Sequence, residues 1–269
     1  MRQFDVFVFD ENFDETQGQI PRPPFTDLEL GWFFTNNWNK LLNKIEGEWV
    51  VFAHPSIKID RDFLNNVAEV TDGFPMVDAF APRIRTLQNA KATDAITDKR
   101  KFLGGYLLRR WTKGSGFVEI DENAPMRYVA APHPYLAIYS RRIIQRTGGF
   151  DTALPPHARL ADFTLRMMHA GGKMFSVPYL VAQATTDEAE RIVGINAEKK
   201  QAPTAQDLKA TALVLSKAFG IEASLPFALH HPSVMAALFA NRKETKEKRK
   251  AATLLSKLKA EFLKEVVSG

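Results

Sequence analysis

The five residues Trp49-Val50-Val51-Phe52-Ala53 constrain this chain more than any others. They form an unbroken apolar run between Gly47-Glu48 and His54-Pro55-Ser56. A run this short, bounded by turn residues and rich in β-branched and aromatic side chains, reads as a strand buried on both faces. Upstream, Phe34, Trp38, Leu41, Leu42 and Ile45 recur at three- and four-residue spacing, which predicts a helix from Trp32 to Ile45. Downstream, a second helix is expected to begin near Asp60 or Asp62. Helix, buried strand, turn and helix is the local pattern of an α/β sheet covered on both sides.

The rest of the chain extends that pattern. Residues 4–9, FDVFVF, read as an opening strand ending at Asp10 and Glu11. Residues 17–30 hold three prolines in four positions, which excludes a regular helix and predicts a loop. Strands are expected over 76–84 and 173–184, with a strand-like stretch over 128–139. Residues 86–127, with four glycines, read as irregular extended pieces. A short helix over 140–150 is closed by Gly148-Gly149, and a second, over 160–170, by Gly171-Gly172. Helical patterning then dominates from 205 to 219 and from 231 to 267. The expected division is an α/β domain over 1–190 and a helical extension over 191–269 that ends in a basic amphipathic helix.

Composition removes several alternatives. With 45% hydrophobic and 25% charged residues among 269, the chain is that of a globular protein. Its lack of cysteine excludes disulfides, thiolate metal sites and a cysteine nucleophile. No apolar run approaches the roughly 20 residues that span a bilayer, and the acidic start does not read as a secretory signal. A cytoplasmic location is expected.

Two ordered blocks carry a resemblance. Residues 30–63, LGWFFTNNWNKLLNKIEGEWVVFAHPSIKIDRDF, and residues 135–178, YLAIYSRRIIQRTGGFDTALPPHARLADFTLRMMHAGGKMFSVP, resemble the nucleotide-side and acceptor-side blocks of family-2-type glycosyltransferases. The resemblance implies a GT-A fold: an α/β protein with a mostly parallel sheet flanked by helices, here followed by the helical extension. It also implies inverting transfer of a sugar from a nucleotide-sugar donor, a UDP-sugar, to a glycan or lipid-linked acceptor, in polysaccharide biosynthesis.

Such chemistry needs a base for the acceptor hydroxyl and positive charge for the departing diphosphate. In the family a divalent cation, Mn²⁺ or Mg²⁺, supplies the charge from an acidic motif after the strand matching Trp49–Ala53. Here that motif reads His54-Pro55-Ser56, which makes His54 and Ser56 the candidate metal contacts. The alternative is that they only close the turn. For the base, Asp162 matches the last aspartate of the family's acidic helix pattern, Arg159 and Leu160 stand at its other acidic positions, and His157 is a substitute of suitable intrinsic pKa. Asp10, Glu11, Asn36 and Asn37 match nucleotide contacts, and Arg166 is placed either on the diphosphate or in an ion pair with Asp162. Trp111 and His133 fall where an acceptor would border.

The altered acidic positions leave a second reading, a catalytically degenerate GT-A module for binding or assembly. Residues 242–250, RKETKEKRK, contribute most of the formal charge of +5. They could lie on the inner face of an anionic membrane, pack on a second subunit in an oligomer, or remain solvated. A nucleic-acid partner is not expected from one short basic run without a recognition motif.

Overall fold

Strand pairing is organised around β1 (Phe4–Phe9), which is buried along its whole length. In the computed structural model the described residues are 4–9, 30–35, 37–86, 101–109, 117–120, 123–184, 205–220, 224, 232–254 and 267–268. On one side β1 pairs in parallel with β2 (Leu30–Thr35), and on the other with β3 (Trp49–Ala53), so that Val8 faces both Phe34 and Ala53. The predicted helix from Trp32 is therefore corrected. Trp32, Phe33, Phe34 and Thr35 suit a pleated strand, and six residues in register with β1 outweigh their helical spacing. Only α1 (Trp38–Leu42) is helical.

Beyond β3 the chain makes the two-residue β4 (Ile57–Lys58) and then α2 (Arg61–Gly73). Of the two starts the sequence offers, Asp60 and Asp62, it is Asp60 that caps α2, its carboxylate accepting from the Phe63 amide at 2.9 Å. β5 (Ala79–Thr86) follows, with the short strands β6 (Lys101–Leu103), β7 (Tyr106–Arg109), β8 (Phe117–Glu119) and β9 (Arg127–Tyr128). β10 (Leu136–Ser140) then inserts antiparallel between β3 and β5. Next come α3 (Arg141–Thr147), α4 (Pro156–His169) and β11 (Met174–Ala184), which is parallel to β5.

The main sheet has the order β2-β1-β3-β10-β5-β11-β4, with β6 on β5 and β9 on β11. Along it β2, β1, β3, β5 and β11 point one way and β10 runs against both its neighbours, so the sheet is mixed, with parallel pairs on either side of an antiparallel central strand. Alternation sorts the strands into two cores. Phe7, Val50, Phe52, Ala79 and Tyr139 face α4, whereas Val6, Val51, Phe80 and Ile138 face α2.

α4 begins one turn before the predicted start at Leu160. Pro156 can open a helix because its missing amide has no intrahelical partner there and its fixed φ is already helical. α5 (Ala205–Phe219) lies on α4, and its Ala210, Val214 and Ala218 belong to the same core cluster as Phe52 and Phe163. α6 (Pro232–Ala240) and α7 (Arg242–Leu254) follow. The predicted helix does not run to Val267. Residues 255–266 lie outside the described residues, and Val267–Ser268 forms β12, paired with Leu108 and Arg109.

One buried carboxylate fixes the start of the sheet. Asp5, fully buried in β1, accepts from the Glu46 and Gly47 amides at 2.7 and 2.6 Å and so holds the turn that leads into β3. Gly31 of β2 lies against it, and a Cβ there would come within 2.0 Å of Asp5 Oδ1. Two amide bonds restrain the carboxylate from moving aside. Gly31→Ala is therefore expected to lower the unfolding free energy by about 1–3 kcal/mol in urea denaturation. Gly73→Ala, where an added Cβ meets nothing within 4 Å, is the control and should not destabilise.

Candidate functional site

In open α/β sheets ligands bind beyond the carboxyl ends of the parallel strands, so the site is sought where β1, β2 and β3 end. β1 ends at Phe9, β2 at Thr35 and β3 at Ala53, and the register brings all three to one edge. Asp10, Glu11 and Asn36, the next residues on two of these strands, lie outside the described residues, as does Trp111. Asn37 caps α1: its Oδ1 accepts from the Asn39 amide at 3.0 Å, and the Thr35 hydroxyl both donates to its carbonyl and accepts from its amide.

His54 continues β3 by one step, its amide donating to the Tyr135 carbonyl at 2.9 Å. Its ring then closes a turn. Nδ1 accepts from the Ser56 amide at 3.1 Å and lies 2.7 Å from Ser56 Oγ. An Nδ1 that accepts from an amide carries no proton, so the neutral ring is protonated on Nε2 and the Ser56 hydroxyl donates. Among the described residues no group of three or more His, Asp or Glu could hold a metal ion. The nearest carboxylate in sequence, Asp60, caps α2 and pairs with Lys58 at 3.3 Å. This donor set does not fit a hard divalent cation, which favours several carboxylate or carbonyl oxygens.

An aromatic row extends from His54 across the edge. The His54 ring lies 4.6 Å from that of Tyr135, Tyr135 lies 5.1 Å from His133, and His133 stacks on Tyr106 at 6.2 Å. The contact between Tyr135 and His54 is not legible in the sequence, because β3 lies far from Tyr135 along the chain. His133 is buried, and its pKa falls to about 3, first because burial disfavours the charged ring and then because His54 would repel it.

Topology also brings α4 to this edge. Its last residue is followed by the turn into β11, whose Met174 is level with Ala79 at the opposite, amino edge. Fourteen helical residues span about 21 Å, enough to carry the first turn of α4 back to the carboxyl edge. His157, the second residue of α4, belongs to that turn. Asp162 does not: it lies further along the helix, beside Phe163, whose ring packs on Tyr139 and Phe150 at 5.0 and 4.6 Å.

Asp162 is 2% exposed and bound into a charge network. Oδ2 accepts from Arg166 Nε at 2.9 Å, and Lys217 Nζ lies 3.8 Å from Oδ1. Arg166 also donates to the carbonyls of Thr147 and Gly149, and Lys217 pairs with Asp151. Of the two placements considered for Arg166, the structure shows the ion pair. The network holds the Gly148-Gly149-Phe150-Asp151 turn on α4 and α5. Gly148 has a φ of 85°, and a Cβ on Gly149 would come within 2.8 Å of Asn39 Oδ1, which accepts from the Phe150 amide. Lys217 could not be read from sequence, since its partners lie on other elements.

The His133 shift makes stability depend on pH. Above pH 6.5 the ring is neutral folded and unfolded; between 6.5 and about 3 the unfolded chain takes up a proton that the folded protein refuses. The folded state should lose about 1.4 kcal/mol per pH unit across that window from this group. Urea denaturation from pH 6 to pH 4 should show a steeper loss for the wild type than for His133→Gln. Parallel profiles would contradict the assignment.

The sequence matches no protein-family model and no curated protein. In fold it is similar to GalNAc-T7, solved with UDP, GalNAc and Mn²⁺, with a TM-score of 0.58 and 11% identity over 93% of this chain and 54% of that one. The chain thus spans about half the length of that relative. Looser likenesses, too distant to support more, are the mannosyltransferase PcManGT from Pyrobaculum calidifontis with GDP-Man and Mn²⁺ and S. aureus TarS with UDP-GlcNAc. Their TM-scores are 0.41 and 0.42, at 16% and 14% identity, over 96% and 94% of this chain and 82% and 84% of theirs. The architecture of this chain is that of the GT-A glycosyltransferases.

Proposed function

We propose that this protein transfers a sugar from a UDP-sugar to a hydroxyl of a glycan or lipid-linked acceptor, with inversion at the transferred carbon. The observation that carries this reading is the convergence of His54, Asn37 and the first turn of α4 on the carboxyl edge of a GT-A sheet. The uridine is assigned to the ends of β1 and β2, with Asp10, Glu11, Asn36 and Asn37 as its partners. The sugar is assigned to the space between the His54 turn and the first turn of α4.

In the transfer, the acceptor oxygen gives up its proton, bonds to the anomeric carbon and displaces UDP, which leaves with the electrons of the broken carbon–oxygen bond. A base must lie within hydrogen-bond reach of that hydroxyl. We assign this role to His157, because its helical turn opens on the edge, whereas Asp162 has both oxygens beside cations. Asp162 then acts as a positioning residue, holding Arg166 and the glycine turn against α4.

The basic segment fits a lipid-linked acceptor. Arg242, Lys243 and Lys246 are exposed on α7 together with Glu244 and Glu247, and Phe239, 62% exposed, precedes them on α6. A basic surface beside an exposed aromatic suits contact with an anionic membrane. Among the described residues no helix is long and apolar enough to cross one.

Incubation with UDP-sugars should release UDP, and His157→Ala should lower kcat by about 10²-fold or more while UDP still binds. An unchanged kcat would remove His157 as base. Failure of UDP-sugars either to bind or to react would reject the transferase reading.

A further inference from the structure

The donor set at His54 leaves a question for any diphosphate at this edge: what supplies the positive charge? An answer lies in β5. Alternation puts Arg83 and Arg85 on the side of the strand shared by Ala79 and Ala81, which is the face covered by α4. The register of β10 against its two neighbours gives their height. Leu136 is level with Ala53 and Ile138 with Phe80, so Tyr135 continues toward His54 on one side and toward Arg83 on the other. Counted on from those pairs, the backbone of Arg83 comes to the height of Tyr135 and His54, two strand spacings or about 10 Å from His54, while the Tyr135 ring packs toward the α2 face. Arg85 stands two residues further out on the same face.

Burial gives these cations strength. Arg83 is 5% exposed and its guanidinium is fixed by donation to the Ala124 carbonyl. Arg85 is half-buried, and its Nε is buried with no hydrogen-bond acceptor among the described residues. Leaving such a donor unsatisfied costs free energy that an incoming oxyanion would recover. Two guanidiniums at alternate positions on one strand bring several donors within reach of one diphosphate, since the guanidinium fork matches phosphate oxygens.

Resting on the transferase reading above, we propose that Arg83 and Arg85 bind the diphosphate of the nucleotide donor and take the place of a divalent cation, so that donor binding is metal-independent. The positive charge comes from the sheet itself. His54 and Ser56 then serve to close the strand end. The arginines act on the leaving group: they neutralise the two phosphates as the carbon–oxygen bond breaks, and no proton moves to or from them.

The test is titration of the full chain with UDP, in EDTA and again with Mn²⁺, for the wild type, Arg85→Gln, Arg85→Lys and Arg83→Lys, with circular dichroism to confirm folding. The expected result is equal UDP affinity in EDTA and in Mn²⁺. Arg85→Gln should weaken binding about tenfold or more, Arg85→Lys should weaken it less, and affinity should fall as salt rises. UDP binding that appears only with Mn²⁺, or an unchanged affinity in folded Arg85→Gln, would overturn the proposal while leaving the transferase reading standing. No UDP binding in either medium would overturn both.

Discussion

The structure depends on one antiparallel strand lodged among parallel ones. β10 pairs with β3 through five residues and with β5 through two, and so joins the half of the sheet built on β1 to the half built on β11. Because it runs backwards, its beginning rather than its end reaches the carboxyl edge. The approach to β10 therefore delivers His133 and Tyr135 to His54, while its end starts α3 at the opposite edge. Every residue of β10 is buried, which a reversed strand between two parallel neighbours requires, since it is covered by helices on both faces.

The two faces divide the remaining work. On one, α2 packs its Phe63, Leu64, Val67 and Val70 on the apolar side chains of the sheet. On the other, α4 packs beside a polar thread, in which Tyr139 donates to Thr164 and Thr164 to the Leu160 carbonyl. Burial holds the Tyr139 phenol well above its ordinary pKa, so it stays a neutral donor. The ion network of Asp162, Arg166, Lys217 and Asp151 lies on this face as well. Such a network contributes orientation as much as stability, because desolvation offsets much of the attraction between buried charges. It ties the Gly148–Asp151 turn to the middle of α4 and to α5.

Much of this was legible from local residues. Trp49–Ala53 was readable because an apolar run closed by His-Pro-Ser has few other solutions, and α2 because Asp60 is a helix cap. β2 was misread because Trp32 and Phe34 satisfy the helical and the strand period alike, and pairing with a strand more than twenty residues away decided between them. The start of α4 was missed because adjacent prolines suggest a break, although proline fits the first helical position. At the strand ends, His54 was readable because it closes a recognisable strand. Its contact with Tyr135 was not, because only the register of β10 brings that residue beside it.

The central claim is that nucleotide binds where β1, β2 and β3 end, facing the first turn of α4. Backbone hydrogen exchange measured with and without UDP addresses it directly. Slower exchange is expected at the His54–Ile57 turn and over residues 154–159, with the amino edge around Ser140 and Lys173 unchanged. Protection confined to α6 and α7, or none anywhere, would contradict the account.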